Sequence, residues 1–168
     1  MKFLFIVQGE GRGHLTQAIS LSEMLGRHGH EVVDVLVGRS SSREIPSFFR
    51  ERMKVNVRVY DAPSLIFKKD KKHIDKFRTF LYNTNIQKLQ RFGKSVEIIY
   101  QSIKKHQPDV VVNFHEILPG FLHLRFKVNI PFINIGHQYL LNHPDYQFGK
   151  EDSQNMTDRK STRLNSSH

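Results

Sequence analysis

A glycine-rich segment near the start of the chain carries residue types that can bind an anion or move a proton. It reads Gly9-Glu10-Gly11-Arg12-Gly13-His14. Glycines let backbone amides approach a ligand closely, and an arginine among them can pair with phosphate. An imidazole titrates near neutral pH, so His14 could accept a proton from a hydroxyl group as a general base. A tight turn in which His14 only caps the next helix is the alternative.

The flanking residues predict that this segment joins a buried strand to a helix. Residues 3–7 are an unbroken apolar run of strand length, which is typical of a parallel strand covered on both faces. Apolar residues then recur at helical spacing over residues 15–25, and residues 31–37 follow as a second strand. The segment therefore lies at a helix N-terminus within a βαβ unit, where anions are favoured.

The rest of the chain continues the alternation of strands and helices. Strands are predicted at residues 55–60, 109–114 and 130–136, and a long helix over residues 86–103 ends before Pro108. Short helices are predicted near residues 45–53 and 121–126. The expected fold class is α/β, with a Rossmann-like, open and mostly parallel sheet and helices on both of its faces.

Polar residues follow two further strands. His115 and Glu116 come after one of them, and His137 and Gln138 come after the next. Because the carboxyl ends of parallel strands lie at the same edge of a sheet, we expect these side chains to line one crevice together with His14.

The glycine-rich segment departs from two standard phosphate loops. A Walker loop needs lysine and then Ser or Thr after its last glycine, where this chain has His14 and Leu15. The dinucleotide fingerprint G-x-G-x-x-G fits at Gly9 and Gly11 but fails at His14. Arg39 after the second strand could meet a 2′-phosphate, so a small NADP- or nucleotide-binding module is the alternative function.

The pattern G-x-G-x-G-H before a helix resembles the first loop of GT-B glycosyltransferases. The resemblance is strongest to the lipid-linked N-acetylglucosaminyltransferase of peptidoglycan synthesis and to related family 28 and UDP-glycosyltransferase-like proteins. It implies that the chain is the N-terminal, acceptor-side half of a two-domain GT-B fold. It also implies metal-independent, inverting transfer of a sugar from a nucleotide-sugar donor to a hydroxyl or lipid-linked acceptor, with no further cofactor.

The resemblance also implies roles for individual residues. His14 is expected to be the catalytic base, and the predicted phosphate or acceptor loop consists of Gly9, Gly11, Arg12 and Gly13. For Arg12, an ordinary exposed arginine beside Glu10 is the alternative. Predicted substrate-binding residues are Glu116, His137 and Gln138. From its place after a strand, Glu116 is expected to bind sugar hydroxyls or to orient His14, and a solvated loop carboxylate is the alternative. The family loop that resembles His137-Gln138 also contains an acidic residue, which this chain lacks at that place.

The sequence divides into three parts. Residues 1–145 form the predicted acceptor-side domain, and residues 146–157 begin a continuation. Residues 158–168 match, residue for residue, the in-frame translation of a widely used short-read sequencing adapter. We expect this tail to be a disordered artefact that interrupts the natural sequence after Thr157. Because the family binds the donor nucleotide chiefly in its second domain, the chain alone is expected to be inactive.

Positive charge is concentrated in one segment. The formal net charge is +10, and it is +8 without residues 158–168, which hold three cations and one anion. Residues 65–82 contain six cations, two anions and several aromatic residues. They predict either a surface that contacts an anionic membrane or an amphipathic helix with a solvated cationic face. In the first case each cation would contribute about 1 kcal/mol of binding free energy. No nucleic-acid recognition pattern accompanies the charge, which argues against that partner.

Composition restricts the remaining classes. The chain has no cysteine, which excludes disulfides and thiolate metal sites. His28 and His30 flank a predicted helix end and are interpreted as a turn, so no metal site is expected. The first apolar run is too short for a signal peptide or a membrane span. The expected location is cytoplasmic, with any membrane contact peripheral and at the inner face.

Overall fold

The structure, a computed structural model, describes residues 1–40, 44–63 and 83–136. Met1–Ile135 form one compact unit and Gly136–His168 form a second. Only Gly136 of the second unit is among the described residues. His137, Gln138, the cationic segment 65–82 and the predicted tail 158–168 therefore lie outside them. All elements below belong to the first unit.

Strands and helices alternate along the described residues. They are β1 (Lys2–Gln8), α1 (Arg12–Arg27), β2 (Glu31–Arg39), α2 (Ser47–Met53), β3 (Val57–Asp61), α3 (Ile86–His106), β4 (Val110–Phe114), α4 (Leu118–Arg125) and β5 (Phe132–Ile135). The strands form one sheet in the order β3-β2-β1-β4-β5, and every pair is parallel. The predicted Rossmann-like α/β fold class is confirmed.

The central strand β1 is buried on both faces, as its apolar run predicts. Its odd-numbered residues, including Phe5 and Val7, pack in a core with α1 and α2. Leu4 and Ile6 pack in a separate core with α3 and α4. Side chains alternate between the faces of a strand, so a strand covered by helices on both sides must be apolar throughout.

The end of α1 and the start of α4 illustrate how local sequence sets the boundaries. Gly29 follows α1 with φ 74°, a left-handed conformation that commonly follows the end of a helix. α4 begins at Leu118, although the sequence predicted a loop through Gly120. Pro119 lies in its first turn, where the missing N–H costs no hydrogen bond. The expected start of α4 at residue 121 was therefore wrong.

A buried carboxylate joins three elements away from the carboxyl edge of the sheet. Asp34 of β2 is fully buried. The guanidinium of Arg58 on β3 and the hydroxyl of Ser102 on α3 both donate to it, and His106 Nε2 lies 3.7 Å away. A buried charge needs such partners, so this cluster fixes β2, β3 and the end of α3 together.

Among the described ranges, no helix combines the length and the apolar composition needed to span a bilayer.

Candidate functional site

The glycine-rich segment connects β1 to α1 at the carboxyl edge of the sheet. α1 begins at Arg12, so Arg12, Gly13 and His14 all lie in its first turn. Gly11 is the N-cap residue, with φ −138° and ψ 156°, and it offers no side chain to the first-turn amides. The first turn also contains no acidic residue. A helix N-terminus of this kind presents N–H groups and partial positive charge to an anion.

Gly9 is required by the packing of this connection. A Cβ on Gly9 would lie 2.8 Å from Val37 Cγ1 and 2.9 Å from the carbonyl oxygen of Gly38, both at the end of β2. The N–H of Gly9 donates to that same carbonyl at 2.7 Å, and Glu10 Oε1 accepts the N–H of Ser40 at 2.6 Å. The connection is thus anchored to β2 at two points.

Gly11 and Gly13 differ from Gly9 in their surroundings. Both are exposed, and a Cβ on either would meet no atom of the described residues within 4 Å. Packing within the described part of the chain therefore gives no reason for glycine at these two positions.

His14 contacts the loop that follows β4. Its ring stacks on that of His115, with ring centroids 5.3 Å apart and ring planes 24° apart. Its Nδ1 lies 3.2 Å from Oε1 of Gln17, one turn further along α1. Both rings are half-buried. Two of the three loops expected at this edge of the sheet therefore meet.

Glu116 follows His115 in the same loop and is only 5% exposed. Its Oε1 accepts the N–H groups of Ile117 at 2.8 Å and Leu118 at 3.4 Å, at the start of α4. Its Oε2 occupies the space over Gly38, where a Cβ would overlap it. Burial raises the pKa of Glu116 to about 7, the two N–H donors oppose this shift, and Glu10 adds to it.

Tyr60 completes the surroundings of Glu116. It is paired with Gly38 in the parallel ladder between β2 and β3 and is 4% exposed. Its hydroxyl has no hydrogen-bond partner among the described residues. Burial raises the pKa of Tyr60 well above its ordinary value, and the nearby Glu116 raises it further.

An asparagine pair holds the loop after β4. The side chain of Asn113 donates to the carbonyl of Glu116 at 2.9 Å and accepts its N–H at 3.0 Å. The same Nδ2 donates at 2.8 Å to Oδ1 of Asn134, its neighbour in register on β5. We call these hydrogen bonds of Asn113 and Asn134 the asparagine bracket. His115 lies between the residues that it joins and has φ 60°.

The structure brings together most of the residues predicted for the site. The glycine-rich segment, His14 and the His115-Glu116 loop meet at one sheet edge, whereas His137 and Gln138 are outside the described residues. The Glu116 carboxylate is directed into the protein and not toward an open crevice. Residues 1–40, 44–63 and 83–136 contain no group of three or more His, Asp or Glu that could hold a metal ion.

Sequence reasoning missed the residues that support the loops. They are Gly38, Tyr60, Asn113 and Asn134. A signal was present for three of them, since Gly38 ends an apolar run and each asparagine interrupts one. The two asparagines also lie opposite each other in the β4–β5 register.

The fold and the site together define a Rossmann-like α/β domain whose polar loops meet at the carboxyl edge of a parallel sheet, where ligands bind in many folds of this class. A family model described as glycosyl transferase family 1 matches residues 1–164. The chain therefore belongs to glycosyl transferase family 1. This result confirms the glycosyltransferase identification made from the glycine-rich segment.

Among solved structures, the chain is similar to MurG from Acinetobacter baumannii, at 16% identity and a TM-score of 0.43. The match covers 79% of this chain and 33% of MurG, so the chain spans about a third of the length of that protein. Curated proteins gave no match to the chain.

Proposed function

We propose that this chain is the acceptor-side half of a glycosyltransferase that moves a sugar from a nucleotide-sugar donor to a hydroxyl acceptor, with inversion and without a metal ion. The observation that carries the proposal is the position of His14, in the first turn of α1 and in contact with the loop after β4. Membership of glycosyl transferase family 1 supports a transferase over the NADP- or nucleotide-binding alternative.

His14 is proposed as the general base. The amide oxygen of Gln17 can only accept, so Nδ1 donates in that contact and the neutral ring holds its lone pair on Nε2. Nε2 takes the acceptor's hydroxyl proton while the acceptor oxygen bonds to the anomeric carbon. The bond from that carbon to the donor phosphate breaks on the opposite face, and the nucleotide leaves with the electron pair.

The first turn of α1 is proposed to bind a phosphate group of donor or acceptor. Gly11 and Gly13 are exposed, a Cβ on either would meet no described atom within 4 Å, and exposed Arg12 adds a positive charge. Glycine at both positions is then explained by the ligand, since a Cβ would keep a phosphate further from the amides.

Glu116 is proposed to orient the site and not to bind sugar hydroxyls directly. Its carboxyl group is buried and accepts two N–H groups of α4, which fixes the backbone beside His115. His137 and Gln138 remain proposed substrate-binding residues. A cytoplasmic location, a lipid-linked acceptor and contact of residues 65–82 with an anionic membrane also remain proposals, supported by the sequence pattern.

The test uses the protein with a donor domain, incubated with a panel of nucleotide sugars and hydroxyl acceptors while nucleotide release is measured. His14→Ala should reduce transfer by about 10²-fold or more if His14 is the base. His28→Ala, at the exposed far end of the same helix, is the matched control and should leave transfer unchanged. Equal rates for both variants would remove the base role. Transfer by the 168-residue chain alone would contradict the proposed division of the enzyme.

A further inference from the structure

His115 has a backbone conformation that its position in the fold does not explain. Three non-glycine residues among those described have positive φ, namely Lys54, Gln107 and His115. Lys54 and Gln107 end α2 and α3, where a left-handed residue satisfies the last carbonyls. His115 ends no helix. Left-handed backbone costs free energy in any residue with a Cβ, so the surroundings must compensate for it at His115.

The hydrogen bonds around His115 provide this compensation. Asn113 holds both the N–H and the carbonyl of Glu116, so the chain on either side of His115 is joined through one side chain. Asn134 fixes the orientation of the Asn113 amide from β5. The Glu116 carboxyl group then binds the first amides of α4. A bracket made from three elements thus holds a single histidine in a costly conformation.

In this arrangement the ring of His115 contacts the ring of His14. The His14 ring has His115 against its face, at 5.3 Å between centroids, and Gln17 Oε1 beside Nδ1. Contacts on a face and at an edge restrict both side-chain torsions of the ring. A base must hold its lone pair in a defined direction, because small misplacements of a reacting group reduce the rate strongly.

We propose that His115 is a positioning residue that holds the His14 ring in the orientation and tautomer needed for proton transfer. The inference rests on the proposed role of His14. It assigns a function to the strained backbone after β4 and to the asparagine bracket around it.

Two substitutions separate the ring of His115 from its backbone. His115→Phe keeps a flat ring, whereas His115→Asn removes the ring and tolerates left-handed backbone. The measurement is a long-range ¹H–¹⁵N correlation spectrum of the labelled 168-residue chain, with His14 assigned by its loss in His14→Ala. The parent chain and His115→Phe should show His14 in one tautomer, protonated at Nδ1. His115→Asn should show a mixture of both tautomers.

Unchanged His14 signals in His115→Asn, with folded amide spectra, would overturn the proposal. An equal loss of the single tautomer in His115→Phe would also overturn it, because the ring would then not be the cause. His115→Gly serves as the second ring-free variant, since glycine adopts this backbone without strain. In the transferase assay, His115→Asn should lower kcat by about 10²-fold with little change in KM. Full transfer by His14→Ala would refute the proposed function and leave the tautomer result standing.

Discussion

The buried carboxyl group of Glu116 predicts an unusual dependence of stability on pH. Its pKa is raised from 4.5 to about 7, so the folded chain binds this proton more tightly than the unfolded chain does. Between these two values unfolding releases a proton, and the free energy of unfolding therefore falls as pH rises. The contribution is fully present below about pH 4.5 and is lost once pH passes about 7. At 1.36 kcal/mol per pKa unit, the interval corresponds to about 3 kcal/mol.

Glu116→Gln isolates this effect. Glutamine keeps an oxygen that can accept the N–H of Ile117, and it cannot ionise. The variant should match the parent chain near pH 4 and exceed its free energy of unfolding by about 3 kcal/mol near pH 8. Urea denaturation followed by circular dichroism measures both. Comparing the two proteins at each pH cancels the titration of the histidines, which they share.

An exposed carboxylate provides the control. Glu51 lies on the outer surface of α2, so Glu51→Gln should leave the pH dependence of stability unchanged. Parallel curves for Glu116→Gln and the parent chain between about pH 5 and pH 8 would refute the reasoning, because burial would then impose no cost on the charged carboxylate.

Two further substitutions test the packing around the site and the sheet. Gly38→Ala should destabilise the chain by about 2 kcal/mol, because the new Cβ would overlap Glu116. Gly13→Ala is the control and should cost much less. Equal urea midpoints for the two variants would contradict the steric argument. Asp34→Asn should lower the free energy of unfolding by about 3 kcal/mol, because the Arg58 guanidinium loses its charged partner. A decrease no larger than that of an exposed Asp→Asn control would show that this cluster contributes little.

The fold could be predicted from the sequence because its signals are local. The run of five apolar residues in β1, the helical spacing in α1 and Gly29 after it each act within a few residues of where they occur. The start of α4 failed for a related reason. Pro119 and Gly120 are typical of loops, and the carboxyl group that caps this helix belongs to Glu116 just before it.

The site was predictable only as far as topology determines it. Parallel strands place His14 and His115 at one edge of the sheet, and the ring contact between them follows that rule. The direction of the Glu116 side chain does not follow from topology. It depends on the absence of a Cβ at Gly38, which belongs to another strand, and no pattern along the chain relates those two residues.

Gly38 gives the two halves of the site a common support. Its carbonyl receives the N–H of Gly9 from the glycine-rich segment, and its bare Cα leaves room for the Glu116 carboxyl group from the loop after β4. The loop that carries His14 is therefore hydrogen-bonded to the end of β2, and the loop that carries His115 packs against the same residue through Glu116. A side chain at position 38 would displace the second loop while the hydrogen bond to the first remains. Gly38 thus contacts both loops of the site, although it touches neither histidine in the contacts described above.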